Sequence, residues 1–398
     1  MTRIDKNRPS HEWIESLRRR FPCETEIDRI LTRKLQRRAG PGYSSVTLET
    51  LTQGVQALLD ARIGGSFRIV NPRWLSGGAS KVQMAFDLDW DKPGVGRTTT
   101  TMVLRMEPAE SIVETSRLRE FQLIRAFAGV VPVPPVFWVD NDAEFLPYPA
   151  MVCGFAPGVA RPTVGADGIS GIGTNFGPVA RPLLGEQFTR HLAAIHAWDW
   201  RSADLSAFDV PASGRQAVEW QLNWWERLWE EDVNEDVPLM RLTMAWMRAN
   251  IPPVDTLSIV HGDYRTGNFL YTEEDNRIST ILDWELGHLG DRHEDLAWAT
   301  RAAFGHLAED GKTFLIGGFM PEDQFLDLYR EYSGLTVDRK TLDFYNVFNA
   351  YKNILIVLAT GPRVALGGKS HQDVLLAWLS GISYPYLDDM RPMLEALL

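Results

Sequence analysis

Between residues 261 and 296 the chain reads HGDYRTGNFLYTEEDNRISTILDWELGHLGDRHEDL. His261-Gly262-Asp263 is followed by Asn268, five positions after the Asp, and Asp283 then opens Asp-Trp-Glu. One Asp able to take the proton of an attacking hydroxyl, with an Asn and a second Asp whose hard oxygens suit Mg²⁺, is the set that phosphoryl transfer from a nucleotide requires. His-Gly-Asp alone is a weak signal; the three motifs in order, joined by a segment of the right length, are a strong one.

The elements needed to bring these residues together can be read around them. Leu257, Ile259 and Val260 are strong β-formers and predict a short buried strand feeding the loop. Gly262 permits a tight backbone path before Asp263, and Gly267 relaxes the chain again before Asn268. Phe269–Tyr271 and Ile278–Leu282 flank Glu273-Glu274-Asp275-Asn276, which reads as a hairpin turn. That hairpin would return Asp283 to the side of Asn268 and Asp263. Farther upstream, Leu75-Ser76-Gly77-Gly78-Ala79-Ser80-Lys81 precedes the alternating strand Val82–Leu88. Such a small-residue turn lets backbone N–H groups approach phosphate oxygens closely, although alone it is equally a good hairpin.

On these motifs the chain resembles the aminoglycoside phosphotransferase/choline kinase superfamily, small-molecule kinases that share the protein-kinase fold. The variants YRTGNFL and ILDWELxHLGDxxEDLAW look like one subgroup in particular, the kinase-like domains joined to acyl-CoA dehydrogenases and their stand-alone bacterial relatives. The resemblance implies an α+β, bilobal protein-kinase-like fold, with an N-terminal antiparallel sheet lobe and a mainly helical C-terminal lobe. It implies ATP and Mg²⁺, with Asp263 as catalytic base and Asn268 and Asp283 as metal ligands. Asp291 and Asp295 match acidic positions that brace the catalytic loop, and Arg292 stands where relatives often carry Pro, with little expected consequence. Ser76, Gly77, Gly78 and Ser80 fall on the loop that covers the ATP phosphates. Arg105, ending the β-branched strand Thr100–Arg105, falls where kinases place the Lys that grips those phosphates; its planar fork would change the phosphate geometry. Glu120 is the expected acidic partner of Arg105, with Glu114 as fallback. Met151 and Cys153 match the inter-lobe hinge, whose backbone would bind the adenine edge.

The rest of the chain divides accordingly. Residues 1–62 are expected to form an N-terminal helical extension, 63–150 the nucleotide-binding lobe and 151–398 the lobe with the catalytic loop and acceptor site. Residues 1–40 carry eleven Lys/Arg against six Asp/Glu, in a chain whose net charge is −11. Ile27, Ile30, Leu31 and Leu35 give this basic segment an apolar stripe, so its cations are expected on a solvated helix face. The acidic remainder argues against nucleic-acid binding. Residues 156–185, rich in Gly and Pro with Val-Ala-Arg-Pro at 159–162 and 179–182, read as a flexible insertion beside the cleft. Trp220, Trp224, Trp225 and Trp229 at helical spacing read as core, and His196 as a packed core histidine. Phe344, Tyr345, Phe348, Asn349 and Lys352, ending near Arg363, line the acceptor site by resemblance. Gly368-Lys369-Ser370 has the ending of a phosphate-binding loop but lacks its first Gly, and that motif is rejected. Two cysteines, no apolar leader and no apolar run long enough for a bilayer point to a cytoplasmic protein without disulfides or membrane partner.

Two classes of function follow. One is an ATP-dependent phosphotransferase acting on a hydroxyl of a small molecule, either a hydroxyacyl-CoA-type metabolite or an aminoglycoside or other antibiotic. The other is a catalytically silent kinase fold that binds nucleotide; retention of Asp263, Asn268 and Asp283 favours the enzyme. The sequence is silent on ATP against GTP and on oligomeric state.

Overall fold

The computed structural model describes residues 4–75, 81–163 and 173–398. Its central feature on the N-terminal side is an antiparallel sheet ordered β1-β2-β3-β5-β4. The strands are β1 (Phe67–Trp74), β2 (Val82–Lys92), β3 (Gly96–Met106), β4 (Val136–Asp140) and β5 (Ala150–Gly154). Because side chains alternate across a strand, the sheet has two distinct faces. Met84, Phe86, Leu88 and Trp90 of β2 lie with Met102, Leu104 and Met106 of β3 and with Ala150 and Val152 of β5. They pack on Leu51, Val55, Leu58 and Leu59 of the helix Leu48–Arg62, each of which is fully buried. Burial on that scale contributes about 2 kcal/mol per side chain. The opposite parity puts Arg105 and Val103 on the other face, in register with Met151 and Cys153. A one-residue slip of β3 would send Arg105 into the apolar layer, so the hydrophobic pattern itself fixes where that cation emerges.

Beyond the sheet the chain is mainly helical, and the fold is α+β and bilobal in the manner of protein kinases. The helix Arg117–Phe127 crosses between the two halves. Ser116 Oγ caps it by accepting from Arg119 N, and Leu123, Ile124 and Phe127 join the larger core. That core is continuous through Trp224, Trp225 and Trp229 of the helix Gly214–Asp232 and the buried face of the helix Arg339–Leu355, so these tryptophans pack as the sequence suggests. No helix among the described residues is long and apolar enough to cross a membrane.

Two expectations fail here. The Gly- and Pro-rich stretch 156–185 is not a loop throughout: Gly177–Ala197 is one helix. Pro178 sits in its first turn, where a missing N–H costs nothing, and Leu184, Phe188 and Leu192 anchor it in the core. Composition concealed a helix that tertiary burial supports. The basic N-terminal segment is not uniformly solvated either. Lys34 and Arg38, on and just after the helix Thr25–Arg37, are buried. Lys34 Nζ meets Glu231 at 2.6 Å and Asp232 at 3.1 Å, while Arg38 Nη2 meets Asp232 and Glu110, both at 2.6 Å. Sequence periodicity identifies the apolar stripe but not the carboxylates that another helix brings to its edge. The same extension buttresses Arg117–Phe127, through Glu24 to Arg119 at 3.0 Å and Glu26 to Ser116 Oγ at 2.5 Å.

Asp232 therefore neutralises two buried cations at once. Asp232→Ala is expected to cost about 3 kcal/mol or more, because removal of one partner strands buried charge. Urea denaturation checks it: the unfolding free energy extrapolated to water falls by that amount, with the midpoint lowered in proportion.

Candidate active site

The catalytic-loop motif is held by its backbone before its side chains do anything. The strand Ser258–Val260 leads into it, and Gly262 turns with φ +83°; a Cβ there would meet Leu286 Cβ at 2.7 Å and its carbonyl oxygen at 2.8 Å. Asp295, fully buried on the helix His293–Ala299, accepts from His261 N at 2.6 Å and Gly262 N at 2.9 Å. His196 Nε2 lies 3.1 Å from the same carboxylate, and its Nδ1 lies 2.9 Å from Tyr329 Oη. Burial disfavours the charged imidazole and holds His196 below its usual pKa, so the neutral ring donates through Nε2 and accepts at Nδ1. His196 is thus the packed core histidine expected, with the added task of orienting Asp295. His261 continues the chain of constraint, bonding Leu282 O through Nε2 at 2.9 Å and accepting from Asp263 N at 3.3 Å.

Asp291 does not brace the loop. Its carboxylate is turned to His293, at 3.0 Å to the backbone N and 2.6 Å to Nδ1, and His293 Nε2 accepts from Asp338 N. Sequence position gave the acidic residue but not the partner it reaches. Arg292 pairs with Asp255 and with Thr336 O, tying down the chain ahead of the helix Arg339–Leu355.

Asp263 accepts at one oxygen from Trp298 Nε1 (2.7 Å) and Arg265 Nε (3.1 Å), and at the other from Asn268 Nδ2 (2.6 Å). Three donors from three directions fix the carboxylate plane. The hairpin Phe269–Thr272/Arg277–Ile281 forms as the sequence suggests, and it delivers Asp283. Asp283 has φ +58°, a left-handed conformation that an Asp tolerates better than most residues and that marks functional turns. One of its oxygens accepts from Arg105 Nη2 at 2.7 Å; the other has no partner among the described residues. Asn268, whose amide nitrogen is spent on Asp263, has no partner for its Oδ1 among the described residues. Two free hard oxygens on Asn268 and Asp283 suit a Mg²⁺ that takes its remaining ligands from phosphates and water.

Arg105 and Glu120 meet, Nη1 to Oε1 at 3.5 Å, and Glu120 is shared with Arg117. Glu114 is not the partner of Arg105; it accepts from Ser111 N, and burial together with Glu107 lifts it to about 7. The pair also belongs to a larger network that the sequence did not disclose. Lys81 Nζ meets Glu107 at 2.6 Å and Glu285 at 3.1 Å, and Arg117 reaches Glu107 at 2.7 Å and Glu285 at 2.9 Å. Burial works to raise the Glu285 carboxyl, but Lys81, Arg117 and Arg105 outweigh it and pull it down to about 2. The available signal was local: Lys81 closes the glycine-rich turn and Glu285 completes Asp-Trp-Glu.

The remaining expectations separate. Ser76, Gly77, Gly78 and Ser80 lie outside the described residues. Met151 and Cys153 are not in a free hinge: β5 is paired with β3 on one side and β4 on the other, which occupies their backbone groups. Their side chains share the face of Arg105, while their backbone groups are held in the ladder. Phe155 N still donates to Thr101 O of β3 at 2.9 Å, so the first backbone N–H beyond the ladder is that of Ala156. Next to Asp263 is a pocket of about 180 Å³ lined by Arg265, Leu286, Trp298, Phe304, Lys352 and Tyr386 among others. Lys352 is buried there against Glu294 at 2.7 Å and lies over the Trp298, Trp225 and Phe348 rings. Ile356, also on the pocket, begins a single π-turn, Ile356–Thr360, of the kind that often marks a functional site. Phe344, Tyr345 and Asn349 are core, and Arg363 lines a different cavity.

The geometry agrees with what comparison with known proteins returns. The model of the Phosphotransferase enzyme family matches residues 84–330, and the chain belongs to that family. Its curated relatives include acyl-CoA dehydrogenase family proteins. "Probable acyl-CoA dehydrogenase IBR3" of Arabidopsis thaliana is 28% identical over 299 residues, 70% of this chain and 35% of that protein. Acyl-CoA dehydrogenase family member 10 of Mus musculus is 26% identical over 208 residues, 51% of this chain and 18% of that one. The chain thus spans about a third or less of these relatives. Among solved structures, a candidate aminoglycoside phosphotransferase of Ralstonia eutropha JMP134 superposes with TM-score 0.57 and 23% identity, covering 85% of this chain and 98% of that one. Macrolide 2'-phosphotransferase type I gives 0.51 and 18%, covering 84% and 97%. Both share the fold.

Glu285 supplies a pH test. A carboxyl depressed in the folded state stabilises the fold above its unfolded pKa near 4.5 and loses that contribution as pH falls towards 2. Wild-type stability is expected to fall more steeply than that of Glu285→Gln between those pH values, read by thermal unfolding across the range.

Proposed function

We propose that this chain is a Mg²⁺·ATP-dependent phosphotransferase that moves the γ-phosphate to a hydroxyl of a small molecule, a hydroxyacyl-CoA-type metabolite in preference to an aminoglycoside. The observation that carries the reaction is Asp263, clamped by Trp298, Arg265 and Asn268 at the mouth of a pocket and next to Asn268 and Asp283. The acceptor hydroxyl enters that pocket and passes its proton to the Asp263 carboxylate as it attacks phosphorus. Asn268 Oδ1 and the free Asp283 oxygen hold the metal, which when bound neutralises charge on the β- and γ-phosphates. Arg105 exchanges its bond to Asp283 for phosphate oxygens, while Glu120 keeps the guanidinium aimed. By the resemblance of its sequence, the glycine-rich segment 76–80 would supply the phosphate contacts; the side chains of Met151 and Cys153 line the nucleotide face, and the backbone at Ala156 meets the adenine edge.

The choice of acceptor rests on the pocket lining. Its charged groups are Asp263, Arg265 and Lys352, and the rest is mostly apolar or aromatic, including Leu286, Phe304 and Ile356. A polycationic aminoglycoside needs a cluster of carboxylates, and only Asp263 is offered. Arg265 and Lys352 are already paired with Asp263 and Glu294, so the preference rests on the apolar wall, which suits an acyl-bearing acceptor. The similarity to acyl-CoA dehydrogenase family proteins points the same way.

With Mg²⁺ and ATP, the purified chain is expected to phosphorylate a 3- or 4-hydroxyacyl-CoA in a panel that also holds aminoglycosides, macrolides and choline, detected as added phosphate mass. Asp263→Ala should lower the rate by about 10³ while Mg·ATP binding is retained. Transfer only to aminoglycosides would overturn the acceptor reading. ATP binding with no transfer to any member would favour a silent nucleotide-binding module.

A further inference from the structure

Away from the catalytic pocket, a cavity of about 630 Å³ lies between the N-terminal segment and the end of the helix Gly361–Leu366. We propose that this cavity is a second ligand site that binds a phosphate monoester through Arg363 and Lys369. Both side chains are buried, at 8% and 6% exposure, yet neither forms an ion pair among the described residues. Arg363 donates only to neutral oxygens: Asn7 Oδ1 at 2.6 Å, Asn234 Oδ1, and Asp232 O at 3.3 Å. Lys369 Nζ donates to the carbonyls of Gly40 and Pro41, at 2.7 and 2.8 Å. The carboxylates nearby are already committed. Asp232 serves Lys34 and Arg38, Glu231 serves Lys34 and Arg227, and Glu110, which lines the cavity, serves Arg38.

A buried cation with no directly paired carboxylate is costly, and here two stand at one cavity, with Arg38 beside them, Arg8 exposed at the rim, and Asp232, Glu110 and Asp5 acting on Arg363 only at longer range. The mutual repulsion is visible in neighbouring groups. Burial and then Arg38 push Arg363 below its usual pKa, and burial and then Arg363 do the same to Lys6. An oxyanion relieves all of this, and a guanidinium fork with an ammonium is a strong donor set for phosphate. No aromatic side chain lines the cavity, so it suits the phosphate end of a ligand and not a stacked base. The segment continues from Lys369 to His371 and Gln372, which line a pocket with Leu75, Lys81 and Gln83. The phosphate could therefore belong to the distal end of a CoA-bearing acceptor or to a separate phosphorylated ligand. Either source presents the same chemistry, and binding at this cavity does not depend on the acceptor assigned above.

The test is isothermal calorimetry on the full chain with the nucleotide site saturated with Mg·ADP, titrating inorganic phosphate, coenzyme A and dephospho-coenzyme A, with acetate as control. Phosphate-bearing probes are expected to bind, and Arg363→Gln/Lys369→Gln to weaken them about tenfold or more with Mg·ADP affinity unchanged. Tighter binding of coenzyme A than of its dephospho form assigns the phosphate to the acceptor's tail. Equal binding of the two, with inorganic phosphate still bound, assigns it to a separate ligand. Should the double substitution unfold the chain, Arg8→Glu at the exposed rim should weaken binding in the same direction without disturbing packing. The proposal is overturned if no phosphate-bearing probe binds the wild type, or if the variants bind them as tightly.

Discussion

The position of Arg105 depends on a buried ionic lattice, and the placement of Asp283 depends on Arg105. Three cations, Lys81, Arg105 and Arg117, are interleaved with Glu107, Glu120 and Glu285 between the sheet, the helix Arg117–Phe127 and the turn after Asp283. Such a lattice contributes little net stability, since desolvation offsets much of its Coulomb attraction. What it provides is geometry. Arg117 meets all three carboxylates, Lys81 meets Glu107 and Glu285, and Arg105 meets Glu120 and Asp283, so none can move without stranding another. Because the carboxylates come from both halves of the molecule, the lattice also sets how the sheet faces the catalytic loop.

A second set of constraints works through neutral and singly charged groups beneath that loop. Asp295 gathers two backbone N–H groups, His196 orients Asp295, and Lys352 crosses from the helix Arg339–Leu355 to Glu294. Trp298, one turn along from Asp295, then reaches Asp263. One short helix, His293–Ala299, thereby fixes both the backbone of the motif and the plane of its carboxylate. Asp283 is held differently, by a strained left-handed turn and a guanidinium from the other lobe, which leaves one of its oxygens free.

The N-terminal extension is part of this arrangement. Glu24 and Glu26 grip the start of the helix that carries Glu120, and Lys34 and Arg38 tie the extension to the helix Gly214–Asp232. A basic stretch that looked like a solvated helix face is a brace, with its charge matched by acidic residues some 200 positions away in sequence.

Short-range pattern was legible from residues alone. The alternation in Val82–Leu88 and Thr100–Arg105, the turn at Glu273–Asn276, and the HGD and DWE spacings each reflect local backbone geometry, and the structure places Asp263, Asn268, Asp283, Arg105 and Glu120 together. Partnership was not legible. Lys81, Arg117 and Glu285 carry no spacing signature, since a charge pair across the fold leaves no periodicity in either strand of sequence. The extent of β5, the helix hidden in Gly177–Ala197 and the burial of Lys34 were likewise decided by neighbours supplied from elsewhere. Sequence by itself determined which groups could do chemistry and on which face of a strand each would emerge, because covalent geometry fixes that locally. Tertiary structure alone decided which charges are shared, which are spent and which line a cavity without a paired carboxylate, because desolvation and Coulomb energy depend on distances that only the packed chain sets.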